Sequence, residues 1–162
     1  MTSPTPKPSS DAMPTRPTDA PAAALFDAIA TEHATIYGYG LVSAHSTPEL
    51  NYLVAEAMAE HRARREAAVA LLAEQGDLDA PLPEAGYRMP TEVDTPTDAT
   101  NLAVRMEEDA AVAWRAVVEQ ADDQTVRAFG VTALTACAVT AARWRSVRGD
   151  SAVTVAFPGG TE

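Results

Sequence analysis

Three side chains that can bind metals or exchange protons interrupt the apolar faces of predicted helices. Glu32 follows Leu25 and Ile29 at helical spacing, His61 lies in a second such pattern, and Glu107 lies in a third. A carboxylate buried without a partner costs roughly several kcal/mol, so each acidic group needs a counter-charge or a bound cation. A Glu, a His and a Glu projecting from three helices are also the residue types with which helical bundles hold two metal ions.

The spacing does not meet the requirement for a di-iron centre. Such a centre takes a Glu from each of two helices and a Glu-x-x-His motif from each of the other two. Glu60 is adjacent to His61, and Met58 stands three residues before it, where the motif needs an acid. The segment from Gln124 to Gly149 contains no Asp, Glu or His. We therefore predict no metal, no cofactor and no catalytic residue. The alternative is a divergent metal or redox site made of Glu32, His61 and Glu107, with Glu60 or Glu108 as further ligands.

Arginine can take the place of a metal beside buried carboxylates. Its guanidinium group pairs with a carboxylate through two parallel hydrogen bonds and stays charged at all ordinary pH values. Arginines follow His61 by one turn and also lie near the end of the last predicted helix. The sequence therefore predicts a buried polar network in which the acids face Arg64 or Arg65 and Arg143 or Arg145. Its candidates are Glu32, His61, Arg64, Arg65, Glu107, Arg143 and Arg145.

Other reactive residue types have simpler explanations. His33 and His45 have no second ligand at metal spacing, which indicates surface or helix-end histidines. Cys137 lies among Ala and Thr with no base nearby, as expected of a buried small side chain. Trp114 and Trp144 are expected to be core or dimer-interface anchors. A third possibility is an apolar-ligand binder, whose central cavity would be lined by Tyr37, Trp114 and Trp144.

Four segments of helical periodicity must position these side chains, and each has recognisable end signals. They are expected to span residues 21–44 with Asp19 as N-cap, 46–75 with a capping box from Ser46 to Glu49, 95–121, and 122–149. Two short turns make two antiparallel hairpins, and a Pro-rich connection over residues 76–94 is long enough to cross the bundle. This pattern predicts an all-α fold, a ferritin-like four-helix bundle of two hairpins joined by a long crossover.

Composition limits the classes of partner. The 162 residues include 23 acidic and 12 basic side chains, a formal charge of −11, which disfavours nucleic acid and anionic membranes as partners. One cysteine excludes an internal disulfide and fits a reducing, cytoplasmic location. We expect a disordered Pro-rich tail over residues 1–20, the bundle over 21–149 and a C-terminal extension over 150–162.

Several short motifs resemble an uncharacterised ferritin-like domain family of actinobacteria, a domain of unknown function. They are Glu32-His33-Ala34 followed by Tyr37-Gly38-Tyr39-Gly40, Glu60-His61-Arg62-Ala63-Arg64-Arg65, Met106-Glu107-Glu108 with Trp114-Arg115, Ala142-Arg143-Trp144-Arg145, and Ala156-Phe157-Pro158-Gly159. The match covers residues 21–159. The resemblance implies a ferritin-like four-helix bundle and a dimer, and it implies no particular activity.

The sequence thus favours a non-enzymatic structural or interaction protein. A homodimer, with an unknown further protein partner, is the expected assembly, and Trp114, Trp144 and Phe129 are the expected anchors. The runner-up is a divergent metal-binding or redox protein of the ferritin-like superfamily.

Overall fold

The computed structural model describes residues 13–76 and 78–160, and all regular structure in these ranges is helical. The four long helices are α1 (Ala20–His45), α2 (Asn51–Glu74), α3 (Pro96–Gln120) and α4 (Gln124–Arg148), with a short 3-10 turn at Pro48–Leu50 before α2. The prediction of an all-helical chain with four long helices is confirmed. The expected tail falls partly on residues 1–12, which lie outside the described residues.

Most helix ends lie where the sequence signals placed them. The Asp19 side chain caps α1, Thr95 and Asp98 form a capping box on α3, and Asp123 caps α4. Gly149 ends α4 in the left-handed conformation, with φ of 86°. The capping box expected at Ser46 does not form, because Ser46 ends α1 and the 3-10 turn separates it from α2.

Two apolar clusters define the direction of each helix. One joins the start of α1, the end of α2, the end of α3 and the start of α4. The other joins the opposite ends of the same helices. It follows that α1 and α4 run one way while α2 and α3 run the other, and that residues 75–95 carry the chain along the bundle between α2 and α3. The polar side chains described below lie between the two clusters.

Helices α1 and α3 lie close together at Gly38. Gly38 of α1 faces α3, and a Cβ atom at this position would clash with Met106 Sδ, so glycine permits the present packing of this side chain. By length and composition α4 is apolar enough to cross a membrane, yet only 33% of its most apolar stretch is buried. Much of the apolar surface of α4 is therefore exposed on the bundle.

Candidate functional site

Glu32 lies at the middle of α1 and is fully buried, with 0% exposure. Its Oε2 accepts a hydrogen bond from His61 Nδ1 at 2.6 Å. Its Oε1 accepts from Trp114 Nε1 at 2.7 Å and from Arg64 Nη1 at 3.2 Å. Helices α2 and α3 therefore satisfy both oxygens of a carboxylate that α1 carries into the core, as a buried charge requires.

Glu107 holds the corresponding position on α3. Its Oε1 accepts from His61 Nε2 at 3.0 Å and from the Tyr39 hydroxyl at 2.5 Å. The Trp144 indole N–H of α4 donates in turn to the Tyr39 oxygen at 2.9 Å. Glu107 Oε2 has no hydrogen-bond partner among the described residues, although the side chain is only 1% exposed. The network thus joins all four helices and leaves one acceptor open.

His61 connects the two acids, and this geometry favours the imidazolium form. Each ring nitrogen lies at hydrogen-bond distance from a carboxylate oxygen, and the imidazolium form donates to both. Burial by itself lowers the pKa of His61, but hydrogen bonds to Glu107 and Glu32 and their negative charges outweigh it and raise the pKa to about 9. At neutral pH His61 therefore carries a positive charge in the core.

The charges of the network cancel. Burial would raise the pKa of Glu32, but the hydrogen bond and charge of His61, the charge of Arg64 and the Trp114 N–H lower it. Two carboxylates, Glu32 and Glu107, then face two cations, His61 and Arg64. A metal ligand needs a free lone pair, and neither imidazole nitrogen has one in this state. Within residues 13–76 and 78–160, no group of three or more His, Cys, Asp or Glu side chains could hold a metal ion.

The structure brings four of the seven predicted network residues together and separates three. Glu32, His61, Arg64 and Glu107 are in direct contact. Arg65 instead pairs with Glu66 at the surface, Arg143 pairs with Glu56 at 2.8 Å, and Arg145 pairs with Glu108 at 2.6 Å.

Of the alternatives Arg64 or Arg65, Arg64 faces the network, because one residue turns a helix by about 100°. Arg65 follows the inward Arg64. Trp144 takes the position on α4 that faces the network, with 0% exposure. Arg143 lies at the surface, whereas Arg145 is buried but pairs with Glu108 outside the network.

Both tryptophans are core residues, which is one of the two roles predicted for them. Each is 0% exposed, so neither indole can touch a second molecule. Their N–H groups donate into the network instead. Tyr37 lies at the surface against Tyr87, with 5.4 Å between ring centroids. Tyr37, Trp114 and Trp144 therefore do not line a common central cavity.

Tyr39 is the network residue that sequence reasoning missed, and its spacing was a usable signal. Tyr39 follows Glu32 by seven residues, and Trp114 follows Glu107 by the same interval. Seven residues are two helical turns, so each aromatic group shares a face with its acid. A buried Tyr or Trp needs a partner for its polar hydrogen. An acid and such an aromatic residue on one apolar face predict a hydrogen-bonded core.

The remaining polar candidates occupy ordinary positions. His33 Nε2 lies 3.1 Å from the Pro81 carbonyl oxygen. His45 is the last residue of α1. Cys137 is buried beside Arg64 Nη1 at 3.2 Å, and burial raises the pKa of its thiol well above the usual value. A protonated thiol is a poor nucleophile.

Comparison with known proteins identifies a family and a structural relative. The model of the family described as "Domain of unknown function (DUF4439)" matches residues 24–162. The crystal structure of a conserved hypothetical protein, Rv2844, from Mycobacterium tuberculosis is similar, with 53% sequence identity and a TM-score of 0.78. The match covers 81% of this chain and 98% of that one. No curated protein matches the chain.

Proposed function

The chain belongs to the DUF4439 family of domains of unknown function, and from that premise we propose that it is a non-enzymatic, ferritin-like interaction protein. The directions of the four helices and the single long crossover between α2 and α3 support the ferritin-like topology. In that topology the residues at mid-height of the bundle are the ones that hold metals in di-iron proteins.

The observation that carries the proposal is the charge balance at this position. His61 and Arg64 neutralise Glu32 and Glu107, so the acids have their counter-charge without a metal. The arginine occupies a place where a second cation would meet repulsion. The network then serves to fix how four helices pack, and the function lies on the surface of the bundle.

Metal analysis tests the non-enzymatic part of the proposal. We expect the purified protein to contain far less than one Fe, Mn or Zn per chain, both as isolated and after incubation with each metal and desalting. Its melting temperature should not change with added Fe(II) or Mn(II), because a ligand of the native state would raise it. Near-stoichiometric metal that is lost in Glu32→Gln or His61→Gln would overturn this part and favour the divergent metal or redox protein.

The surface proposed for interaction is the outer face of α4. The 15 residues between Arg127 and Arg143 include no charged side chain. Val131 and Val139 on this stretch are 47% and 54% exposed. The chain carries a net charge of −11, so this is a place where two copies can meet without opposing like charges. We therefore propose a symmetric homodimer in which α4 packs on its counterpart.

Sedimentation of matched variants tests the homodimer. Val139→Glu places a charge in the proposed interface, whereas Val112→Glu makes the same change at a residue of α3 with the same 54% exposure. The wild type and Val112→Glu should sediment as dimers at micromolar concentration, and Val139→Glu should sediment as a monomer. A concentration-independent wild-type monomer would overturn the homodimer.

The proposal also includes a cytoplasmic location and no binding to anionic membranes. A single buried cysteine is compatible with the cytoplasm. The acidic chain is expected to stay in solution when mixed with anionic vesicles. Co-flotation with vesicles that Val139→Glu abolishes would show that α4 meets a membrane in place of a second copy.

A further inference from the structure

We propose that a cavity between α3, α4 and the C-terminal segment binds a small apolar molecule bearing a hydroxyl or primary amide group. The group would donate a hydrogen bond to Glu107. This binding site is not the proposed dimer interface, although Ala138 lies next to Val139, and it requires no metal.

The cavity has a volume of about 280 Å³. Its helical walls include Ala111 and Val112 from α3 and Ala138 from α4, and Phe157 and Gly159 lie in the segment that covers it. Known small-molecule sites are mostly apolar clefts with a few well-placed polar groups, and the cavity has this character. Its volume is near the lower limit for such sites, which restricts the ligand to a small molecule.

The polar group at the base of the cavity is Glu107. The residue lines the cavity, is only 1% exposed, and has an Oε2 atom without a hydrogen-bond partner among the described residues. A buried acceptor that makes no hydrogen bond is unfavourable, so each such group calls for an explanation. The other oxygen of the same carboxylate is held in place by Tyr39 and His61. The open acceptor is therefore fixed in position.

The charges around the cavity favour a neutral donor. The two carboxylates and two cations of the network already cancel. At the rim, Glu108 and Arg145 also form an ion pair, at 2.6 Å. An ammonium ligand would add an uncompensated charge to this apolar space, whereas a hydroxyl or amide donor would not.

The covering segment is held on the helices rather than lying loosely over them. Arg145 Nη1 of α4 donates to the Val153 carbonyl oxygen at 3.1 Å. Gly159 has a φ of 71°, and a Cβ atom there would lie 2.5 Å from the Ala111 carbonyl oxygen of α3. The cavity is therefore part of the folded chain, and the Phe157-Pro158-Gly159 sequence serves to close it.

A pair of probes of equal length tests the hydrogen bond. The full chain, labelled with 15N, is titrated with 1-hexanol, which has a donor, and with 2-hexanone, which has only an acceptor. We expect saturable shifts at the amides of Ala111, Ala138 and Gly159 with 1-hexanol, and at least tenfold weaker binding of 2-hexanone. Equal affinity for the two probes, or shifts that do not saturate, would overturn the proposal.

Three variants complete the test. Ala138→Leu fills the cavity and should abolish the saturable shifts, while Ala136→Leu makes the same change at a partly buried α4 residue outside the cavity and should preserve them. Glu107→Gln keeps an oxygen for Tyr39 and His61 and presents an amide N–H₂ to the cavity. Because both probes carry an oxygen that can accept from this group, the preference for 1-hexanol should disappear. Binding of 1-hexanol to Ala138→Leu with wild-type affinity would place the ligand elsewhere and refute the site.

Discussion

At the scale of the residue, His61 determines the character of the core. A neutral imidazole could donate to only one of the two carboxylates that it touches, and the other would lose its partner. The imidazolium satisfies both and supplies half of the positive charge of the network. An intact buried ion network contributes little net stability compared with a well-packed apolar core, but removing one member leaves an uncompensated charge. The free energy of unfolding lost in a single variant should therefore be much larger than the net contribution of the intact network.

Glu32→Gln is expected to lower the free energy of unfolding by about 3–5 kcal/mol, because it leaves Arg64 and His61 with excess positive charge in the core. Urea denaturation followed by circular dichroism measures the change. Glu60→Gln, the same substitution at an exposed position one residue before His61, should change stability by less than about 0.5 kcal/mol. The loss in Glu32→Gln should be the same with and without EDTA; a loss confined to metal-loaded protein would contradict the network interpretation.

The stability of the wild type should fall as pH rises from 6.5 to 9. The pKa of His61 is about 9 in the folded chain and 6.5 ordinarily, so its contribution is fully present below 6.5 and is lost as pH rises through 9. The total loss is about 3 kcal/mol. Glu32 has the opposite sign: its lowered pKa gives stability that is present above 4.5 and is lost as pH falls further.

Chemical denaturation from below pH 4.5 to pH 9 measures both the acid and the alkaline loss of stability. A maximum of stability between pH 4.5 and 6.5 is the expected result. In His61→Gln the decline above pH 6.5 should disappear, although the variant is less stable overall. A wild-type stability that rises between pH 6.5 and 9 would show that His61 is neutral in the fold.

The inward acids and His61 were predictable from sequence, and the choice of arginine was not. A charged residue within an apolar helical pattern is conspicuous, and it can be placed in the core without knowing the partner helices. Arginine side chains are long, and Arg64 and Arg65 differ only by one step around the helix. Which of them reaches Glu32 depends on the rotation of α2 against α1, which no local pattern specifies.

At the scale of the element, end signals were accurate where a side chain could cap the backbone directly. Thr95, Asp123 and Gly149 each act within their own helix. Ser46 has the same local signature as Thr95, but the short connection between α1 and α2 uses it to end α1. The geometry of the hairpin therefore overrides the capping preference, and sequence alone does not reveal that competition.

Thr95→Ala should destabilise the protein by about 1 kcal/mol, the usual cost of removing an N-cap side chain. The Thr95 hydroxyl accepts from the Asp98 N–H, and this half of the capping box is lost in the variant. The other half, in which the Asp98 carboxylate accepts from the backbone N–H of residue 95, is retained by alanine. Thermal denaturation provides the measurement, with Thr97→Ala as the exposed control outside the cap. Equal melting temperatures for the two variants would mean that tertiary packing alone fixes the start of α3.

At the scale of the whole molecule, charge and apolar surface are segregated. Acidic residues exceed basic ones by 11 over the chain, yet the central stretch of α4 carries none of either. Repulsion between two copies acts over their whole surfaces and is screened by salt. Apolar burial at the α4 face is not screened, and salts that are excluded from protein surfaces strengthen it.

The proposed dimer should therefore tighten as ionic strength increases. Raising NaCl from about 0.05 to 0.5 M shortens the Debye length from well above 10 Å to below 8 Å, so the repulsion between the two acidic copies is largely removed. We expect the dissociation constant from sedimentation equilibrium to fall several-fold over this range. Val112→Glu should follow the same trend, displaced slightly toward weaker association by its extra negative charge. If salt instead weakened the dimer, ion pairs would hold it together, and the arginines at the ends of the uncharged stretch, Arg127 and Arg143, would replace the valines as the residues that form the interface.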